Sequence, residues 1–252
     1  MRLCLILLLI VSGCRAAEPL AGDGLATTKE WPLPQVNRVV VSGPMSVQVL
    51  VGPAFEPELR VEGDSNVVAA LRRDVTGRSL TLDASMTSPS QPLSITITTP
   101  SLVSISAADR AVVSANAMRG GRLTVDAEGS SRVLLNGVDG DSLAVNVTRA
   151  ATVDAAGTVR LVDVRAADVG TVSLSSLVAR VALVRATELS TVKVQATEAL
   201  KGDATRSSRV VVTGAPALER IVADEGSVVQ SVPRAGEPVS SSARRGDRTS
   251  PR

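Results

Sequence analysis

A recurrence of about nineteen residues between residues 100 and 232 limits what this chain can fold into more than any other feature. Val112, Val133, Val153, Val172, Val192, Val210 and Val228 serve as anchors, 18 to 21 residues apart. Ten positions before them stand Leu102, Leu123, Leu143, Val162, Ala182, Leu200 and Leu218. Six before stand Ser106, Ala127, Val147, Ala166, Ala186, Ala204 and Val222. Eight before, the central copies give Val125, Val145, Val164 and Val184, whereas the last two give Gly202 and Arg220, with Ile221 one place on. That slip predicts a register shift in the closing copies. The column two before the anchors holds Arg110, Ser131, Ala151, Gly170, Ser190, Ser208 and Gly226. It is mostly small and reads as a tight corner with unusual dihedrals.

Within a copy the apolar period is two, as in Leu123-Thr124-Val125-Asp126-Ala127, followed by a turn and a second strand. Two short strands cannot bury their own apolar face, so copies must stack in parallel, about 4.8 Å apart, with aliphatic ladders inside. The expected fold is all-β: a parallel, right-handed β-helix-like solenoid of about seven rungs with an N-terminal β-rich cap. An antiparallel sandwich competes, but constant spacing and columnar identity favour the solenoid. A thin stack also accounts for composition. The chain is 44% hydrophobic, yet it has one Trp, one Phe and no Tyr, because rings would break the ladders.

Residues 36–99 lack the recurrence and read as the cap part of the same domain. Arg38–Val41 and Val47–Val51 flank Ser42-Gly43-Pro44 as a strand pair. Strands are expected at Leu59–Val61, Leu80–Leu82 and Ile95–Ile97. Ser65 is expected to cap a helix carrying Val67, Val68, Leu71 and Val75 and stopped by Gly77.

The ends carry the signals of location. Arg2 precedes an apolar stretch from Leu3 to Val11, too short for a membrane span, ending in Val11-Ser12-Gly13-Cys14. That run resembles the bacterial lipobox. The resemblance implies a signal peptide over 1–13, a lipidated Cys14 as first mature residue, and attachment to a membrane. Arg15 after the cysteine resembles outer-membrane sorting. The alternative is an ordinary signal cut near Ala16-Ala17. Residues 14–35 read as a flexible tether and 233–252 as a disordered tail. The tail holds five Arg against Glu237 and Asp247, leaving the folded part nearly neutral, so nucleic acid is not an expected partner.

No His occurs, and the two cysteines are Cys4 and Cys14, which removes histidine-based catalytic pairs, zinc clusters and disulfide frameworks. Carboxylates recur at turns: Asp109, Glu128, Asp168, Glu188, Asp224 and Glu225. Some β-helix polysaccharide lyases use such groups, with Asp168 and Glu188 the candidate pair here. The column four before each anchor alternates in sign (Ala108, Gly129, Arg149, Asp168, Glu188, Arg206, Asp224), which favours a solvated edge. Calcium-loop spacing is missing, Asn146-Val147-Thr148 matches a glycosylation acceptor by spacing alone, and Thr152, Thr171 and Thr191 form an outward column. No catalytic residue, cofactor or metal is expected.

The order RVVVSGPMSVQVLVG, LRVEGDSNVVAALRRDVTGRSLTLDA, PLSITITTPSLVSISAADRAVVSA and repeated units such as LTVDAEGSSRVLLNG resembles the head GIN domain family (DUF2807), auto-transporter adhesin heads, over about residues 36–231. The resemblance implies a β-helical fold and an exported or lipid-anchored envelope protein. Thr148-Arg149 and Glu188-Leu189 depart from the family's Ser-Gly-Ser turns. The reading that follows is a lipid-anchored envelope protein displaying a non-catalytic solenoid for surface interaction or adhesion. Its partners would be the membrane, through Cys14, and a surface polysaccharide or envelope protein. A carbohydrate-active enzyme, or an envelope sensor that docks a partner, is the alternative.

Overall fold

The computed structural model describes residues 18–232, apart from 117–118, 215 and 225. The protein is a parallel β-solenoid whose rungs each carry one strand on each of two faces. The chain enters through β1 (Leu20–Ala21) and β2 (Ala26–Pro32), both within the stretch expected to be a tether. It lays down a first rung with β3 (Arg38–Ser42) and β4 (Met45–Val51). It then leaves the stack through β5 (Glu58–Asp64), α1 (Ser65–Ala70) and β6 (Arg72–Thr76). It returns with β7 (Ser79–Asp83), the short β8 (Thr87–Ser88) and β9 (Leu93–Thr99).

The returning rung slides underneath the first one. Val39 pairs in parallel with Leu80 on one side and Ile105 on the other, and Val47 lies between Ile95 and Val113. The segment before residue 100 thus contributes two rungs. Beyond them β5, β2 and β6 pair antiparallel and close the end of the stack, with Arg73 over the Trp31 ring at 4.0 Å.

Seven rungs follow in chain order. They begin with β10 (Ser104–Ala108) and β11 (Val112–Asn116), then β12 (Arg122–Ala127). Four long strands, β13 (Arg132–Val147), β14 (Thr152–Ala166), β15 (Thr171–Ala186) and β16 (Thr191–Ala204), each end one rung and open the next. The stack finishes with β17 (Arg209–Thr213), β18 (Leu218–Ala223) and β19 (Val228–Val232).

The ladders inside follow directly from the recurrence. One runs Leu80, Val39, Ile105, Val125, Val145, Val164, Val184, Gly202, Ile221, and its counterpart runs Ile95, Val47, Val113, Val133, Val153, Val172, Val192, Val210, Val229. Burying one such aliphatic side chain contributes roughly 1.5–3 kcal/mol. The outermost anchors were therefore one residue out. Val113 is fully buried while Val112 is 43% exposed, and Val229 packs inward while Val228 faces solvent. With those corrected, Ile221 pairs with Gly202 and the expected register shift in the closing copies is absent.

Two local expectations also change. The helix stops at Ala70, and Val75 belongs to β6, which turns back at Gly77 (φ 61°) to pair with β7. An antiparallel partner in reach outcompetes further helix. Ser65 does not cap the helix: its hydroxyl donates to Asp23 Oδ2 at 2.5 Å.

Candidate functional site

With an aliphatic interior, the side chains capable of chemistry collect on the outer faces and on the edge where the chain makes its tight turns. In the described turns that edge repeats one conformation. The residue four before the buried Val is left-handed in every copy: Gly43 (φ 103°), Asp109 (60°), Gly129 (74°), Arg149 (58°), Asp168 (59°), Glu188 (56°) and Arg206 (54°). The unusual dihedral thus falls two positions earlier than expected, on charged residues in five of these seven turns. The small column two before the anchor is small for another reason: Ser131, Ala151, Gly170, Ser190 and Ser208 are buried between rungs. Three of them bond a neighbouring rung, Ser131 Oγ donating to the Ala107 carbonyl at 3.0 Å, Ser190 to Ala166 at 3.1 Å and Ser208 to Ala186 at 3.1 Å.

The turn carboxylates are engaged with adjacent rungs. Asp109 Oδ2 accepts the Ser42 hydroxyl at 2.5 Å, and Glu128 pairs with Arg149 at 2.9 Å. Asp168 Oδ2 accepts the Arg149 backbone N–H at 2.9 Å, and Glu188 pairs with Arg206. Asp224 accepts the Arg206 backbone N–H at 2.9 and 3.1 Å and the Ser227 hydroxyl at 2.6 Å; the latter, with the Arg206 N–H, holds its carboxyl below the usual range. Asp168 and Glu188 occupy equivalent places in consecutive turns, yet each answers a different partner. The result is a mixed-charge edge whose hydrogen bonds and ion pairs tie rung to rung. Glu225 and Cys14 lie outside the described residues.

Thr152, Thr171 and Thr191 do stack in register on an outer face, between Arg132 and Arg209 in the same column. Asn146 faces outward, but its amide donates to Asp126 Oδ1 at 2.7 Å. That bond belongs to a polar ladder that the sequence columns considered above did not include. Asp126, Asn146, Arg165, Arg185 and Asp203 stack on one outer face, with Arg165 donating to Asp163 at 2.8 Å and Arg185 near Asp203 at 3.5 Å. A shallow groove of about 190 Å³ runs beside it, lined by Leu183, Lys201 and Gly202 as well as by Arg165, Arg185 and Asp203 of the ladder. The groove is open, and exposed ion pairs of this kind contribute at most about 1 kcal/mol each. Among the described residues, no cluster of three or more metal-ligating side chains occurs.

A second polar cluster was also not anticipated, and it fixes where the chain enters. Asn66 Nδ2 donates to the Ala21 carbonyl at 2.7 Å and Asn66 Oδ1 accepts the Asp23 N–H at 3.1 Å. The buried Asp64 accepts the Ser90 N–H at 2.6 Å and the Ser90 hydroxyl at 2.7 Å. Those bonds, the hydroxyl first, hold the Asp64 carboxyl below its ordinary range; Ser65 does the same for Asp23. Gly22 crosses directly over Asp64, where a Cβ would meet Oδ2 at 1.9 Å, so only glycine fits.

An uninterrupted aliphatic stack with its polar groups confined to edges and outer faces defines a class of scaffold, the parallel β-solenoid, that presents repeated surface rather than a deep pocket. The chain belongs to the family described as "Putative auto-transporter adhesin, head GIN domain", whose model matches residues 36–216. Solved structures share the fold. A "putative adhesin" from Bacteroides fragilis is 17% identical, with a TM-score of 0.77 over 84% of this chain and all of that one. A "putative lipid binding protein" from Parabacteroides distasonis is 17% identical, with a TM-score of 0.65 over 85% of this chain and all of that one. A "putative adhesin" from Parabacteroides merdae, 16% identical, gives 0.65 over 86% and all of its own chain. No curated protein sequence matches the chain.

Proposed function

We propose that this chain is a lipid-anchored protein of the bacterial cell envelope, held in the outer membrane through acylated Cys14, whose solenoid is a non-catalytic surface for interaction or adhesion. The observation that carries the reading is the order of the sequence: a lipobox-like Val11-Ser12-Gly13-Cys14 stands directly ahead of an adhesin-head family domain. Two acyl chains anchor stably where one binds marginally. The engagement of Asp109, Glu128, Asp168, Glu188 and Asp224 by neighbouring rungs supports a structural role for the turn edge. The polar outer faces suit a surface polysaccharide or an envelope protein, and the near-neutral folded part does not suit nucleic acid.

The test is metabolic palmitate labelling with membrane fractionation. Label and membrane association are expected in the wild type and lost in Cys14→Ser; label that persists in Cys14→Ser overturns the anchoring. Cells expressing the protein should gain binding to a surface glycan or protein. Turnover of an envelope polysaccharide that disappears with Asp168→Asn or Glu188→Gln would replace this reading with an enzymatic one.

A further inference from the structure

We infer that the turn edge around Leu20, Met86, Pro89 and Val112 is a membrane-contact surface, seated on the phospholipid bilayer that Cys14 enters. This rests on the anchoring reading above and adds an orientation to it. Cys14 precedes Leu20 by six residues, and six residues fully extended span at most about 20 Å. Nine stacked rungs span roughly 40 Å. The tether therefore keeps the point where the chain joins the solenoid within about 20 Å of the bilayer, half the length of the stack, so the surface around that point is the one held nearest the membrane.

The strap decides which part. Leu20 N–H donates to the Met86 carbonyl at 2.9 Å and Gly22 N–H to the Ser88 carbonyl at 3.0 Å, while Asn66, Ser65 and Asp64 lock residues 21–25 from the other side. The exit point toward Cys14 is fixed at β8. The surface around it suits the boundary between headgroups and acyl chains. Met86 is 53% exposed, Leu20 40% and Val112 43%. Beside them lies an open, largely apolar groove of about 450 Å³ whose lining includes Pro44, Met45, Pro89, Pro92 and Val112 together with three serines and Arg110. Arg110 has no carboxylate partner among the described residues, and its guanidinium is suited to a lipid phosphate. Asp109 beside it is occupied by Ser42. Exposed apolar side chains beside an unpaired cation, at the place from which a lipidated chain would emerge, match the chemistry of an interfacial contact.

The experiment uses the full-length acylated protein reconstituted into phosphatidylethanolamine–phosphatidylglycerol vesicles. Cys4 and Cys14 are the chain's only cysteines, so a thiol introduced at Met86→Cys or Val112→Cys is the single labelling site once the signal is removed and Cys14 acylated. A fluorophore there should be quenched by nitroxide-bearing lipid several-fold more than one at Lys193→Cys, which faces outward on the face of Val112 four rungs away. Equal quenching at the three sites, in protein shown by mass spectrometry to be acylated and by flotation to be vesicle-bound, overturns this inference alone. A chain that carries no lipid on Cys14 overturns the anchoring and this surface together.

Discussion

In the rungs after Ser104 each strand bonds a partner 17 to 20 residues away, whereas in the two rungs before it partners lie 41 to 66 residues apart. Both regions build the same cross-section. Closing a 66-residue loop instead of a 19-residue one costs roughly 1 kcal/mol more, since each doubling adds about 0.6. One extra buried methylene contributes about 0.8 kcal/mol, enough to offset most of that. The returning rung carries such methylenes: Leu80, Leu82 and Ile95 stand where most other rungs use Val and Ala. A local repeat can hold register with small side chains, while the returning rung, placed out of chain order, adds larger ones and is backed by the cap of β2, β5 and β6.

The largest effect should come from removing that bulk. Leu80→Ala, in a fully buried ladder with neighbours on both sides, is expected to lower stability by about 2–5 kcal/mol in urea unfolding. Val229→Ala, half-buried in the last rung, should lower it by about 1 kcal/mol and loosen only β17 and β19. Equal losses at the two sites would break the distinction between the regions.

Acid should separate the regions next. Asp64 and Asp23 have folded-state carboxyls held below their ordinary range by Ser90 and Ser65, so protons bind the unfolded state more readily. Their contribution is complete above the unfolded value of about 3.9 and is lost as pH falls through the lower folded values. Hydrogen exchange of residues 20–25 should therefore accelerate as pH drops below about 4, relative to the intrinsic rate, while the β14–β15 ladder stays protected. Asp64→Asn should already release the strap at neutral pH and flatten its acid response. A strap that keeps full protection in that variant would show that Asn66 and Ser65 suffice.

The two regions also differ in how far their residues announce them. The solenoid, its inward columns and the family were legible because a spacing near nineteen repeats with period-two alternation. The errors at Val112 and Val228 arose where two valines stand side by side, since an identical neighbour leaves the register ambiguous by one. The placement of β7 and β9 beneath β3 and β4 left no trace, because chain order does not encode stacking order. Nor did the strap: Asp23 and Ser90 are distant in sequence from the consecutive Asp64, Ser65 and Asn66 and meet them only once α1 and β8 are in place. The turn edge was half legible. Its charges were visible, but their left-handed backbone was not, since Arg, Glu and Leu are poor indicators of positive φ.

That edge gives the smallest expected effect, and one of opposite sign. The corner is held by glycine at Gly43 and Gly129, whereas the turn at 187–190 places Glu188 and Leu189 in succession at φ 56° and 63°. A left-handed non-glycine residue costs roughly 1–2 kcal/mol, and glycine's freedom in the unfolded chain returns roughly 0.5–1 of that. Leu189 is exposed, and its side chain makes no hydrogen bond or ion pair that would be lost. Leu189→Gly should therefore stabilise the protein by about 0.5–1 kcal/mol, read as a rise in the urea midpoint with an unchanged slope. A fall in the midpoint would mean that the exposed leucine packs on a neighbouring turn, and that the later rungs, like the early ones, depend on side-chain bulk.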